Sequence, residues 1–205
     1  MRIAAPATLT LLVPLISGCG SPPLVVPMMH EHTVTSEPGW EPPRTIRKWE
    51  YVVVHHSATR SGGARRFDKY HRNVKRWENG LGYHFVIGNG TDTYDGQVEV
   101  GSRWLRQITG AHCGGKNNIR KIGICLVGDF ENQRPSPRQM RALHKLLEFL
   151  QVRCGIPASR VRGHCEVCRP GYTKCPGRHF DMAELRRGLL RQPPPYDPSK
   201  IVLRR

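Results

Sequence analysis

Short continuous apolar runs alternate along the chain with longer segments in which apolar residues recur every three or four positions. Tyr51-Val52-Val53-Val54 is β-branched and too short for a helix, so it reads as a buried strand. Phe67, Tyr70, Val74 and Trp77 recur at helical spacing, and Gly80 sits where such a helix would stop. A second strand is expected over residues 83–87. Asn89-Gly90 and Asp95-Gly96 are turn dipeptides around a further short strand pair. Ile122-Gly123-Ile124-Cys125-Leu126-Val127-Gly128 is a continuous apolar run, the pattern of a strand central in its sheet.

The clearest helix signal follows. Ser136 is a good N-cap, Pro137 suits the first turn and Gln139 completes a capping box. Met140, Leu143, Leu146, Leu147 and Leu150 form one apolar face, and Gly155 is placed to end the helix. A last helix is expected from Asp181, with Glu184 three residues on and Met182, Leu185 and Leu189 as its apolar positions. Strands and helices mix throughout. The expected class is therefore α/β, a single domain with a central mixed β-sheet flanked by helices.

The ends read differently. Arg2 precedes an apolar run over residues 3–16, broken by Pro6 and Pro14 and closed by Ser17-Gly18-Cys19. That layout is a secretory signal over residues 1–18 rather than a membrane span. The Cys after Ser-Gly resembles a bacterial lipobox, which would make Cys19 the lipidated first residue of an exported, membrane-anchored envelope protein. An ordinary signal peptide and plain secretion are the alternative. Gly20, in place of Asp, points to the outer membrane and periplasm if the cell is diderm. Residues 19–46 are rich in Pro, Ser and Gly and read as a flexible tether. His30-Glu31-His32 lies within it and lacks a third ligand or a rigid frame, so it reads as solvated linker. The globular domain is expected over residues 47–191 and an irregular tail over 192–205, which opens with Pro193-Pro194-Pro195.

Charge narrows the partners only slightly. Thirty-two Lys and Arg stand against 16 Asp and Glu in 205 residues, a net charge of +16. Such a surface attracts anions, whether nucleic acid, acidic lipid or wall polymer. The basic residues are scattered rather than gathered into a block, which argues against nucleic acid.

Three segments end an element with a potential metal ligand: His55-His56-Ser57, Gly163-His164 and Cys175-Pro176-Gly177. Two imidazoles and one thiolate make a tetrahedral zinc site with the fourth position open, the arrangement of a catalytic metal. A metal so placed lowers the pKa of bound water to about 7 and polarises carbonyls. Spacing alone leaves a second possibility, a structural zinc knot built from His164-Cys165-Glu166-Val167-Cys168 with Cys175. No HExxH helix is present.

Five ordered blocks carry a resemblance: Val52-Val53-Val54-His55-His56-Ser57-Ala58-Thr59, Gly82-Tyr83-His84-Phe85-Val86-Ile87, Gly110-Ala111-His112 with Asn118, the 122–128 run, and Gly163-His164 leading to Cys175-Pro176-Gly177. From about Trp49 to Leu190 the chain resembles the type 2 N-acetylmuramoyl-L-alanine amidases. That family includes the bacteriophage T7-type lysozyme amidase and the animal peptidoglycan recognition proteins. The resemblance implies one Zn2+ per chain in a surface groove, held by His55, His164 and Cys175. It implies catalytic roles for Tyr83 and Thr173, and puts His112, Asn118 and Trp77 along the peptide groove. The implied reaction is hydrolysis of the amide between the lactyl group of N-acetylmuramic acid and L-alanine, with peptidoglycan as partner and the chain a monomer. The alternative is peptidoglycan binding without catalysis, and the presence of Cys175 favours the enzyme.

Two departures stand out. Ten residues separate His164 from Cys175, more than the family pattern has, and Cys165 and Cys168 fall among them as competing ligands. Cysteines are also numerous. An oxidising compartment favours a disulfide, with Cys154 and either Cys165 or Cys168 as the expected pair. Cys125 reads as a buried free thiol, and Cys113 beside His112 has no assigned role.

Overall fold

Residues 34–203 are described in a computed structural model of the chain, so the signal over 1–18, Cys19 and His30-Glu31-His32 lie outside the described residues. β-Branched and aliphatic runs build a five-stranded sheet. Its two central strands are β2 (Tyr51–His56) and β5 (Lys121–Leu126), parallel and paired from Tyr51 with Lys121 to His56 with Leu126. β6 (Val161–Gly163) runs parallel on the far side of β2. β3 (Phe85–Ile87) runs parallel to β5, and β4 (Val98–Val100) closes the other edge antiparallel to β3. One antiparallel edge on a parallel sheet makes it mixed, as expected.

Side chains alternate across a strand, and this alternation separates the core from the site. Val52, Val54, Ile122, Ile124, Phe85 and Ile87 share one face. There they meet α3 (Pro137–Cys154) through Leu143, Leu146, Leu147, Phe149 and Leu150. The helix begins at the capping box of Ser136 and Gln139 and ends at Gly155 in the left-handed conformation (φ 67°). Gln139 also donates to the carbonyls of Val127 (2.8 Å) and Ile87 (3.3 Å), tying the helix start to the ends of two strands. On the opposite face Val86, Cys125, Val127 and Leu81 form a smaller cluster. The short α2 (Ser102–Leu105) follows β4, and α4 (Met182–Arg187) follows its Asp181 cap, which accepts the Glu184 N–H (2.8 Å).

The stripe of Phe67, Tyr70, Val74 and Trp77 behaves differently from its periodicity. Helix α1 spans Ala64–Asn73 and buries none of its residues, and Tyr70 and Val74 are exposed. Its end is set by polar contacts, not by Gly80. Asp68 accepts the Leu81 N–H (2.8 Å) and pairs with Arg72 (2.8 Å), and Arg76 turns the chain back with φ 57°. Phe67 alone packs inward, against the smaller cluster. Phe67 and Tyr70 of the stripe therefore line a cleft, and none of the stripe joins the larger core. Strand β3 also starts two residues later than expected, after Tyr83 and His84.

Both extensions join the folded unit. β1 (Val34–Ser36) pairs parallel with β7 (Ile201–Leu203). Trp40 is 2 % exposed, with its ring 5.4 Å from Phe149 and its carbonyl accepting the Trp104 indole N–H (2.6 Å). Glu41 pairs with Arg153 at 3.0 Å and Glu37 with Lys145. The boundaries drawn at residues 46 and 192 thus fall inside the unit. Proline and glycine there report irregular backbone, but one buried indole removes more apolar area from water than a regular tether residue could. No helix among the described residues is long and apolar enough to cross a membrane.

Candidate metal centre

His55 and His56 leave β2 on opposite faces. His56 points to the core side, where its Nδ1 accepts the Phe130 N–H (3.0 Å). His55 points to the other side and is 1 % exposed. β6 delivers His164 at its C-terminal end, and the following loop returns Cys175 to the same spot. His55, His164 and Cys175 each offer a ligand atom within 4.8 Å of the other two. The His55 Nδ1 is 3.6 Å from the Cys175 sulfur, and the rings of His55 and His164 lie 4.4 Å apart.

The surroundings fit a cation. Nε2 of His164 is buried with no hydrogen-bond partner, an arrangement that costs free energy unless something binds it. Burial, then the neighbouring imidazoles, drives His55 well below the usual histidine value, and burial lowers His164 too. Both are held neutral, as ligands must be. Burial pushes the Cys175 thiol up to about 12, and a coordinated metal would deprotonate it outright. The His56 N–H already points at its sulfur (3.3 Å). Two nitrogens and one sulfur are a zinc donor set with one position open.

Behind His55 stands His112. Its Nδ1 lies 3.0 Å from the His55 Nε2, and its own Nε2 faces the Lys121 carbonyl at 3.4 Å. Gly110 and Gly123 make room for it, since a Cβ on either would come within 2.4 and 2.5 Å of the imidazole. His84 completes this layer. Its Nδ1 accepts the Gly123 N–H (2.9 Å) and its Nε2 reaches the Ile108 carbonyl (3.1 Å). Burial lowers its pKa to about 3.

The remaining expected residues have the following contacts. Asn118 accepts the N–H groups of both His112 and Cys113 (2.8 Å each) and donates to Gly115 (3.1 Å), so it clamps the loop. His112 stands against His55. Trp77 stacks on His71 (4.6 Å, 20°) and stands behind that ring. The cleft beside the centre, about 550 Å³, is lined instead by Ser57, Thr59, Arg66, Phe67, Tyr70, His71 and Tyr83. Phe67 and Tyr70 belong to the apolar helical stripe of the sequence, whereas His71 carried no such signal. Tyr83 bridges cleft and centre, its ring 5.3 Å from His55. Burial, reinforced by nearby thiols, raises its phenol well above 10, so it stays protonated. Thr173 accepts the Cys175 N–H (3.1 Å) and so orients that residue.

The cysteine expectations divide. Cys125 is a buried free thiol, as expected, and all six described cysteines are free. Cys154 is not beside Cys165 or Cys168. It lies at the end of α3, in a cleft with Trp49 and Tyr196, whereas the Cys168 sulfur is 3.9 Å from the Cys113 carbonyl oxygen.

The family pattern of N-acetylmuramoyl-L-alanine amidase matches residues 45–178, a span that carries β2, α1, the cleft and all three converging candidate residues. The chain belongs to this family. Among its relatives, peptidoglycan-recognition protein 2 of Holotrichia diomphalia is 34% identical over 158 residues, covering 73% of this chain and 79% of that one. The N-acetylmuramoyl-L-alanine amidase of Sus scrofa is 28% identical over 62% of this chain, which spans only 21% of that longer protein. In three dimensions the amidase LysC from Clostridium intestinale URNW aligns with a TM-score of 0.59 at 25% identity, over 75% of this chain and 95% of LysC. The family thus includes proteins named for hydrolysis and proteins named for recognition.

Proposed function

We propose that the chain is a zinc-dependent amidase that hydrolyses the bond between the lactyl group of N-acetylmuramic acid and L-alanine in peptidoglycan. The observation that carries this reading is the convergence of His55, His164 and Cys175 within 4.8 Å, at the end of a cleft sized for a peptide stem. A recognition module needs the cleft alone. The buried thiol and the unpartnered imidazole nitrogen serve no purpose in it.

Bound there, zinc would supply Lewis acidity toward the scissile carbonyl and water reactive near neutral pH. The residues of the chain do the rest. His112 accepts from the His55 Nε2–H and so fixes the tautomer that leaves Nδ1 free for the metal. Tyr83, kept protonated, donates to the carbonyl oxygen as it gains charge. Thr173 holds Cys175 in place through its N–H. Phe67 and Tyr70 offer apolar surface to the peptide, with Arg66 at the same wall.

We further propose that the protein is exported and anchored through Cys19, where its charge of +16 favours contact with anionic envelope polymers. The test of the activity is digestion of purified peptidoglycan with the full chain. Free L-alanine amino termini should appear, should vanish on chelation and return with zinc. Cys175→Ala should lose both metal and activity while still folding. Undigested wall that nonetheless retains the protein would establish the recognition reading instead.

A further inference from the structure

Cys113 and Cys168 face each other across a small cleft of about 330 Å³, lined also by Gly114, Asn117, Arg169 and Tyr172. The Cys168 sulfur sits 3.9 Å from the Cys113 carbonyl oxygen. The Cys113 sulfur instead points to His112, 3.1 Å from its Nδ1 and 3.9 Å from the His55 Nε2. This leaves His112 over-subscribed. Its Nε2 faces a carbonyl and must carry the ring proton, so Nδ1 has one lone pair. Two donors, the His55 Nε2–H and the Cys113 S–H, compete for it. Turning the Cys113 thiol about its Cα–Cβ bond toward Cys168 removes one of them. The loop can accommodate the shift, because Gly114 and Gly115 have open space around them at φ 76° and 47°. The other thiols are poorly placed for Cys113: Cys125 lies within the sheet, and Cys154 at the end of α3.

We propose that Cys113 and Cys168 form a disulfide that staples the long His164–Cys175 loop to the loop carrying His112. Both thiols lose their hydrogens, the two sulfurs bond, and a disulfide oxidant, such as oxidised glutathione or an oxidoreductase of an oxidising compartment, takes up two electrons and two protons as a pair of thiols. The staple leaves the His112 Nδ1 to His55 alone. It also holds Tyr172, whose ring is 6.4 Å from His164, against the metal centre.

The proposal goes beyond the amidase reading and is tested without any activity measurement. The full-length protein is equilibrated with oxidised glutathione, blocked with N-ethylmaleimide in denaturant and digested with trypsin without reduction. The expected product is peptide 107–116 joined to peptide 163–174, with Cys165 alkylated. Cys165→Ser should retain the cross-link and Cys168→Ser should lose it. Reduction should add the mass of two hydrogens and lower Tm by roughly 5–10 °C. A bridge between Cys165 and Cys168 within one peptide, or all three thiols alkylated after oxidation, would overturn the proposal.

Discussion

At the scale of single residues, burial and hydrogen bonding assign roles that residue type alone does not. His55 and His56 are adjacent and chemically identical, yet one meets Cys175 and the other caps the Phe130 N–H. Strand alternation makes that choice. His112 acts through His55, so its loss should be read in metal affinity. His112→Ala should weaken zinc binding by about 10–100-fold in a chelator competition. His112→Asn, which can place an oxygen near the former Nδ1, should recover part of it; equal loss in both variants would mean a packing role only. Tyr83→Phe removes a donor while keeping the ring. It should lower kcat by about 10²–10³-fold with KM nearly unchanged, whereas a KM change alone would move Tyr83 from the chemistry to substrate binding.

At the scale of elements, the strands are more than a frame. β5 carries Gly123 between Ile122 and Ile124, because the His112 ring occupies the space a Cβ would need. Gly123→Ala should overpack that layer and cost about 1–3 kcal/mol in denaturant unfolding, with zinc affinity falling in parallel as His112 is displaced. A variant with unchanged stability and metal binding would show that the layer yields without cost. Helix α3 is the most locally determined element, since its cap, apolar face and terminating glycine all agree. Helix α1 is the least. Its amphipathic stripe faces a cleft wall, and its end depends on Asp68 reaching Leu81 thirteen positions away.

At the scale of the whole molecule, the face with the candidate metal centre and the packed face of one sheet divide the work. The α3 face holds the larger core, and the segment before residue 47 completes it from outside. Trp40→Ala should therefore cost about 3–5 kcal/mol of stability, measured by urea unfolding, with activity retained below the transition. If stability were unchanged, the N-terminal segment would be a tether after all. The parallel pairing of β1 with β7 also brings the two described ends of the chain together.

The order of strands and helices, the capped helix α3 and the paired core runs were legible in the chain itself, as were His55, His164 and Cys175 as the candidates that the fold brings together. Each rests on local periodicity, capping chemistry or an ordered set of short blocks. What only the tertiary structure decided were relations between distant segments. It set His112 against His55 and Asn118 against the His112 loop, placed Phe67, Tyr70 and His71 in the cleft, drew Trp40 into the core and set Cys168 beside Cys113 rather than Cys154. The physical reason is common to all. Periodicity states that a residue has an apolar or polar neighbour on one side. It does not state which distant segment supplies that neighbour, and at this site the supplier determines the chemistry.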